Sequence, residues 1–178
     1  MTYKAKGLPK GLKLNRKTGL ITGSTNTNGN FKVRLQATNE KGTDEKEITL
    51  KIGSEIMLTP PMGWNSWNCW RFAADDQKVR DAARIMHEKL QAYGWTYVNI
   101  DDGWEADERT PEGELPANEK FPDFKTLTDY IHSLGLKFGI YSSPGWTTCG
   151  RHIGSCQHEL TDAKTWEKWG VDYLKYDY

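Results

Sequence analysis

Residues 170–177 read GVDYLKYD, and the same pattern occurs twice upstream, as GWTYVNID at 94–101 and GLKFGIYS at 135–142. Laid over one another from the glycine, the three align without gaps. The third residue after each glycine is aromatic (Tyr97, Phe138, Tyr173), and the seventh is polar (Asp101, Ser142, Asp177). Each stretch is short, rich in β-branched and aromatic residues, and predicts a strand.

A helical pattern leads into every one of these glycines. DQKVRDAARIMHEKLQAYG (76–94) repeats apolar residues at Val79, Ala82, Ala83, Met86, Leu90 and Tyr93, the 3.6-residue period of one helix face. Asp75 or Asp76 can cap its start and Gly94 can supply a left-handed stop. PDFKTLTDYIHSLG (122–135) repeats the plan with Phe124, Leu127, Ile131 and Leu134, and TDAKTWEKWG (161–170) is a shorter version. A fixed helix–glycine–strand order predicts repeated βα units with parallel strands.

In such sheets the polar groups at the carboxyl ends of the strands face the ligand site. The gapless alignment therefore predicts that Asp101 and Asp177 hold equivalent positions at one mouth, although a carboxylate there can also simply cap a loop. Period two places Tyr173, Lys175 and Asp177 on one side, so Lys175 can pair with Asp177 and favour its ionised form. An ionised carboxylate suits a nucleophile or an electrostatic stabiliser, not a general acid. Asn99 and Asp101 share a face, and Asp102 opens the next loop. Adjacent carboxylates accept hydrogen bonds from vicinal hydroxyls, which suits a polyol. By the same count Tyr141 lies one residue off the inward register.

Residues 1–53 follow a different rule. LKLN, GLITGS, NFKVRLQATN and DEKEITLKI alternate with period two between Asn-, Gly- and Thr-rich turns, and predict a small antiparallel β-sandwich. Phe31, Val33, Leu35 and Ala37 fall on one face, with Lys32, Arg34 and Gln36 on the other. The α/β grammar begins near residue 58, so the expected domains are 1–53 and 58–178.

Twenty-four basic and 24 acidic residues cancel, so the bulk charge gives no case for nucleic acid or an anionic membrane. No apolar run approaches the ~20 residues of a membrane span. Eight tryptophans, all after residue 60, suit a large aromatic core and the flat faces of sugars alike. Cys69, Cys149 and Cys156 lack zinc spacing and allow at most one internal disulfide. Neither a metal nor a cofactor is expected. His152 and His158, and Glu105, Asp107 and Glu108 after DDGW, are expected to be ordinary surface residues.

The series LTPPMGWNSWNCW, NIDDGW, GLKFGIYSSPGWTTCG and WGVDYLKYD, in that order over 58–177, resembles glycoside hydrolase family 27, the α-galactosidase and α-N-acetylgalactosaminidase family. The stretch with G-L-P-x-G-L, T-G-x-I-x-G and A-T-N-x-x-G resembles the immunoglobulin-like modules of bacterial surface proteins and glycosidases. Together the resemblances imply an immunoglobulin-like module followed by the first half of a (β/α)8 TIM barrel, truncated after its fourth strand. They imply retaining hydrolysis of α-linked galactose, in a secreted or periplasmic protein. The family's nucleophile falls on Asp177. Its sugar-contacting positions fall on Trp64, Asp101, Asp102, Tyr141, Cys149 and Lys175. In many relatives the cysteine matching Cys149 bridges to one two residues after the nucleophile, which here would lie just past Tyr178. The family's acid/base comes from a later strand, so this segment alone is expected to be inactive. Two other readings are an α-N-acetylgalactosaminidase, or another α-glycosidase on the same scaffold, and a non-catalytic carbohydrate-binding protein. A lysine-paired nucleophile is unnecessary for binding alone.

Overall fold

The structure, a computed structural model, describes residues 1–54 and 60–177. It divides into two compact units, Met1–Thr59 and Pro60–Tyr178. The expected start of the second domain, with the Leu58–Thr59 end of the first barrel motif, lies outside the described residues, as does Tyr178.

In the first unit, β1 (Thr2–Lys6), β4 (Gly29–Asn39) and β5 (Gly42–Ile52) form an antiparallel sheet in the order β1-β4-β5. Strands β2 (Leu12–Leu14) and β3 (Ile21–Gly23) form a two-stranded ribbon. The β4–β5 hairpin turns at Glu40–Lys41, where the Asn39 side chain accepts from the amides of Lys41 (2.8 Å) and Gly42 (3.1 Å). Val33, fully buried, and Pro9 are the buried apolar side chains among this unit's described residues. The alternation in β4 follows the sequence pattern, with Phe31, Val33, Leu35 and Ala37 more covered than Lys32 and Arg34. Strand β1 escapes the sequence reading because TYKAK has only two apolar residues in five. Tyr3 and Ala5 mark its inner face by pairing with Ala37 and Leu35.

In the second unit, β6 (Gly63–Asn65), β7 (Tyr97–Asn99), β8 (Lys137–Ser142) and β9 (Tyr173–Tyr176) are parallel and adjacent in chain order. A short α1 (Trp67–Trp70) and α2 (Asp76–Lys89) follow β6. Helix α3 (Phe124–Ser133) follows β7, and α4 (Glu159–Trp169) follows β8. Of the two cap candidates for α2, Asp75 serves, accepting from the Lys78 amide at 2.9 Å. Asp123, which the sequence reading did not name, caps α3 by accepting from the Thr126 amide at 3.0 Å. Gly94, Gly135 and Gly170 take φ of 92°, 73° and 85°, where a side chain would be strained. Helix α2 stops short of its expected face. Beyond Lys89 the chain tightens into a 3₁₀ turn, which leaves Leu90 and Tyr93 exposed.

The core lies between the sheet and the helices. Val79, Ala83 and Met86 of α2 and Phe124, Leu127 and Ile131 of α3 pack with Val98, Phe138 and Ile140 of the strands. The connection from β7 to α3 is long but packed, with Trp104, Leu115 and Phe121 buried. Arg109 anchors it. Its guanidinium grips Asp162 of α4 at 2.6 and 2.9 Å and donates to the carbonyls of Gly113 and Gly154, both at 2.8 Å. One fork, closed on a buried carboxylate, thus ties two loops and a helix together.

Glu105 departs from the solvated loop position expected of it, being 1% exposed. Its Oε2 accepts from the Gly103 amide at 2.9 Å, while Oε1 is buried without a partner among the described residues. Burial pushes its pKa from 4.5 up to about 8, and the charge of Asp102 adds to the rise. The folded state therefore binds this proton more tightly than the unfolded chain does. The stability it contributes is intact below about pH 4.5 and drains away as pH rises to about 8.

Two predictions follow from these buried groups. All eight tryptophans lie in the second unit, so denaturation followed by their fluorescence reports on that unit. Arg109→Met leaves Asp162 buried and uncompensated, and should cost about 3–5 kcal/mol; a loss below 1 kcal/mol would refute the anchoring role. Between pH 4.5 and 8 the wild type should lose on the order of 4 kcal/mol relative to Glu105→Gln. Parallel pH profiles would show that Glu105 is not held neutral.

Candidate active site

The strand ladder decides which side chains meet. Val98 pairs with Phe138, and Asn99 with Gly139, which in turn pairs with Tyr173. Each strand is therefore displaced by one residue from the gapless glycine alignment, and the displacement accumulates. Two residues beyond the Asn99–Gly139–Tyr173 row, Tyr141 pairs with Lys175, and the chain leaving β7 reaches the same level at Asp101. Asp101 is thus level with Lys175, not with Asp177. Tyr141, by the sequence count off the inward register, shares the face of Lys175. Ser142 takes the opposite face, where its hydroxyl and that of Ser155 lie 2.8 Å apart, both fully buried. The predicted equivalence of Asp101 and Asp177 is corrected accordingly. The glycines mark strand starts, and ladder pairing marks side-chain neighbours.

The row has room because of Gly139. A Cβ there would sit 1.8 Å from Asn99 Oδ1 and 3.0 Å from the Tyr173 ring. Above the row, Lys175 Nζ lies 2.9 Å from Asp101 Oδ2 and 3.8 Å from Asp177 Oδ2. It also stands 4.9 Å from the centroid of the Tyr141 ring, over its negative face. Lys175 and Asp177 are roughly half exposed, while Asp101 is buried. The Asp177 amide donates to the Ser142 carbonyl at 3.0 Å, which continues the ladder past the end of β9.

Both residues of the DD pair are held from outside their own strand, Asp101 by its backbone amide and Asp102 by its carboxylate. Ser66 Oγ accepts from the Asp101 amide at 2.9 Å. Asp102 accepts from Thr148 Oγ1 at 2.8 Å and from the Gly150 amide at 2.6 Å, so the loop after β8 is buttoned to the loop after β7. Gly150 permits this approach, because a Cβ there would meet Asp102 Oδ2 at 2.7 Å. Between these two donors lies Cys149, beside the Tyr141 hydroxyl. Burial raises the Tyr141 phenol above its ordinary pKa, and the Cys149 side chain adds to this. Trp104 completes the support by donating its indole N–H to the Tyr141 carbonyl at 2.8 Å.

A depression of about 500 Å³ adjoins this cluster on the side of Asp101 and Lys175, lined also by Trp64, Trp67, Asn99 and Tyr173; Asp102, Tyr141, Cys149 and Asp177 are not in its lining. Trp64 also packs against the core and edge-on to Trp70, and its indole donates to Cys69 Sγ at 3.4 Å. Trp67, absent from the sequence-predicted site, lines the same depression and stands edge-on to Phe72. Sequence reasoning also passed over Ser66, Thr148 and Gly150, because their contacts to Asp101 and Asp102 span 35 to 48 residues of chain. Cys69, Cys149 and Cys156 are free thiols. The arrangement offers two buried carboxylates, one ammonium, one half-exposed carboxylate and aromatic walls. That set can hold a neutral polyol and bring a carboxylate nucleophile to it.

Comparison with known proteins bears on that chemistry. Residues 59–178 match the family described as "Alpha galactosidase A", and residues 1–53 match the one described as "Putative Ig domain". Over 140 residues the chain is 47% identical to the alpha-galactosidase of Coffea arabica, covering 76% of this chain and 37% of that protein. The solved alpha-galactosidase I of Mortierella vinacea is 51% identical, with a TM-score of 0.67 over 68% of this chain and 32% of its own. A Bacteroides fragilis structure described as a "putative alpha-galactosidase" is 43% identical, with a TM-score of 0.71 over 99% of this chain and 38% of its own. The chain thus spans only about a third of the length of these relatives. With the four ordered motifs and a family match over the whole second unit, the chain belongs to the alpha-galactosidase A family, glycoside hydrolase family 27.

Proposed function

We propose that this chain is the amino-terminal part of a secreted or periplasmic retaining α-galactosidase, and that it carries the nucleophile half of the site. The observation that carries the reading is the position of Lys175, with its ammonium group between Asp101 and Asp177. Asp177 attacks the anomeric carbon of an α-linked galactose, and the C–O bond to the leaving group breaks as an ester to Asp177 forms. A second carboxyl group, supplied by chain beyond Tyr178, protonates the leaving oxygen and then activates the water that releases galactose. Asp101 and Asp102 accept from the sugar hydroxyls, Lys175 and Tyr141 complete the polar floor, and Cys149 lies beside Tyr141. Trp64 and Trp67 supply the wall.

The ladder supports a half-barrel. Where the strand-start glycines mark one end of a barrel, a slip of one residue per strand sums to eight over eight strands, the shear of a (β/α)8 barrel. The 1–53 segment is then an accessory immunoglobulin-like module, joined to a barrel half that begins near residue 58. The α-N-acetylgalactosaminidase alternative is less favoured, because the relatives at 43–51% identity carry the alpha-galactosidase name.

The test uses the protein with its complete barrel and a chromogenic α-galactoside. Asp177→Asn should lower kcat by roughly 10⁴-fold or more with little change in KM. Asp101→Asn should chiefly raise KM. More than a tenth of wild-type kcat in Asp177→Asn would contradict the assignment.

A further inference from the structure

The first unit holds a cleft of about 670 Å³ whose lining brings together Lys4 and Lys6 of β1, Lys13 and Arg16 of the β2 segment, and Arg34 of β4. The β1–β4 register pairs Lys6 with Arg34 and Lys4 with Gln36, so Lys4, Lys6 and Arg34 project from one face of the sheet. Strand geometry spaces them about 7 Å along β1 and about 5 Å across to β4. Among the described residues, none of the five cations is paired with a carboxylate. The one acidic residue in the lining, Glu45, accepts from Gln36 Nε2 at 2.7 Å.

The neutrality of the whole chain hides this. Residues 1–54 carry eleven Lys and Arg against four Asp and Glu, a formal charge of +7, whereas residues 60–177 carry thirteen against nineteen, a charge of −6. These five cations outnumber the carboxylates beside them, Glu45 in the lining and Glu47 opposite Arg34 on β5, and a bound polyanion relieves the remaining repulsion. The lining contains no aromatic side chain, so nucleobases find nothing to stack on. Its floor includes Leu8, Leu12 and Leu14, which can pack against the C–H faces of a sugar.

We propose that this cleft binds an acidic polysaccharide of the uronate type, its carboxylates meeting Lys4, Lys6, Lys13, Arg16 and Arg34. The preference for a polysaccharide over another polyanion rests on the glycosidase reading of the second unit. The recognition of negative charge does not.

Affinity electrophoresis of the full chain tests the proposal, with polygalacturonate in the gel and neutral galactomannan as control. Polygalacturonate should retard the chain and galactomannan should not, and raised salt should weaken the retardation. Lys4→Gln/Arg34→Gln should lower apparent affinity at least about tenfold. Lys41→Gln/Lys51→Gln, with the same charge change outside the cleft, should lower it less than about twofold. Circular dichroism checks folding, and Lys6→Gln/Lys13→Gln replaces the first pair should it unfold. No retardation, or equal losses from both pairs, would overturn the site. Tighter binding of single-stranded DNA through the same residues would assign the cleft to nucleic acid instead. Neither result bears on Asp177, whose role is read from catalysis in the second unit.

Discussion

One ammonium group organises the candidate site. Lys175 projects from β9 to Asp101 beyond the end of β7, passes over the ring of Tyr141 on β8, and lies beside Asp177. Three strands therefore contribute to one cluster through one side chain. The cluster depends on the stagger of the parallel ladder, which places Asp101, Tyr141 and Lys175 at a common level. A strand slipped by one residue would turn Lys175 toward the helices and leave Asp101 buried without its partner.

Around that centre the loops are held by charge-assisted contacts. Asp102 secures the loop after β8, and Arg109 joins the loop after β7 to α4. Loops that carry function are positioned by the scaffold beneath them, and here Asp102 and Arg109 tie their backbone down. Glu105 differs in kind. It lies buried next to Asp102, with one oxygen unpartnered among the described residues, the type of local cost that accumulates near functional sites.

Much of this was legible in the sequence. Local physics determines the Asp75 cap, the left-handed glycines and the amphipathic face of α3, and these stood where their patterns placed them. The face of α2, by contrast, ends at Lys89 and leaves Leu90 and Tyr93 exposed. The αβ rhythm and the carboxylates at strand ends followed from the same signals. What escaped is non-local. Strand stagger is set by pairing between segments about 35 to 40 residues apart, so aligning glycines misjudged Tyr141 and Ser142. Glu105 reads as a loop residue because nothing nearby announces that Trp104 and Phe121 will bury the loop around it. Summing charge over the chain likewise erased a difference of sign between its two halves.

The central claim is that Asp177 forms the covalent bond to the sugar. It is tested most directly by mass spectrometry of the complete protein after reaction with a 2-deoxy-2-fluoro-galactosyl fluoride, which slows turnover of a glycosyl-enzyme. The account predicts a single fluorogalactosyl adduct on the peptide containing Lys175–Asp177, with the label on the Asp177 carboxylate. A label on any other carboxylate, or no adduct from a protein that still hydrolyses α-galactosides, would contradict it.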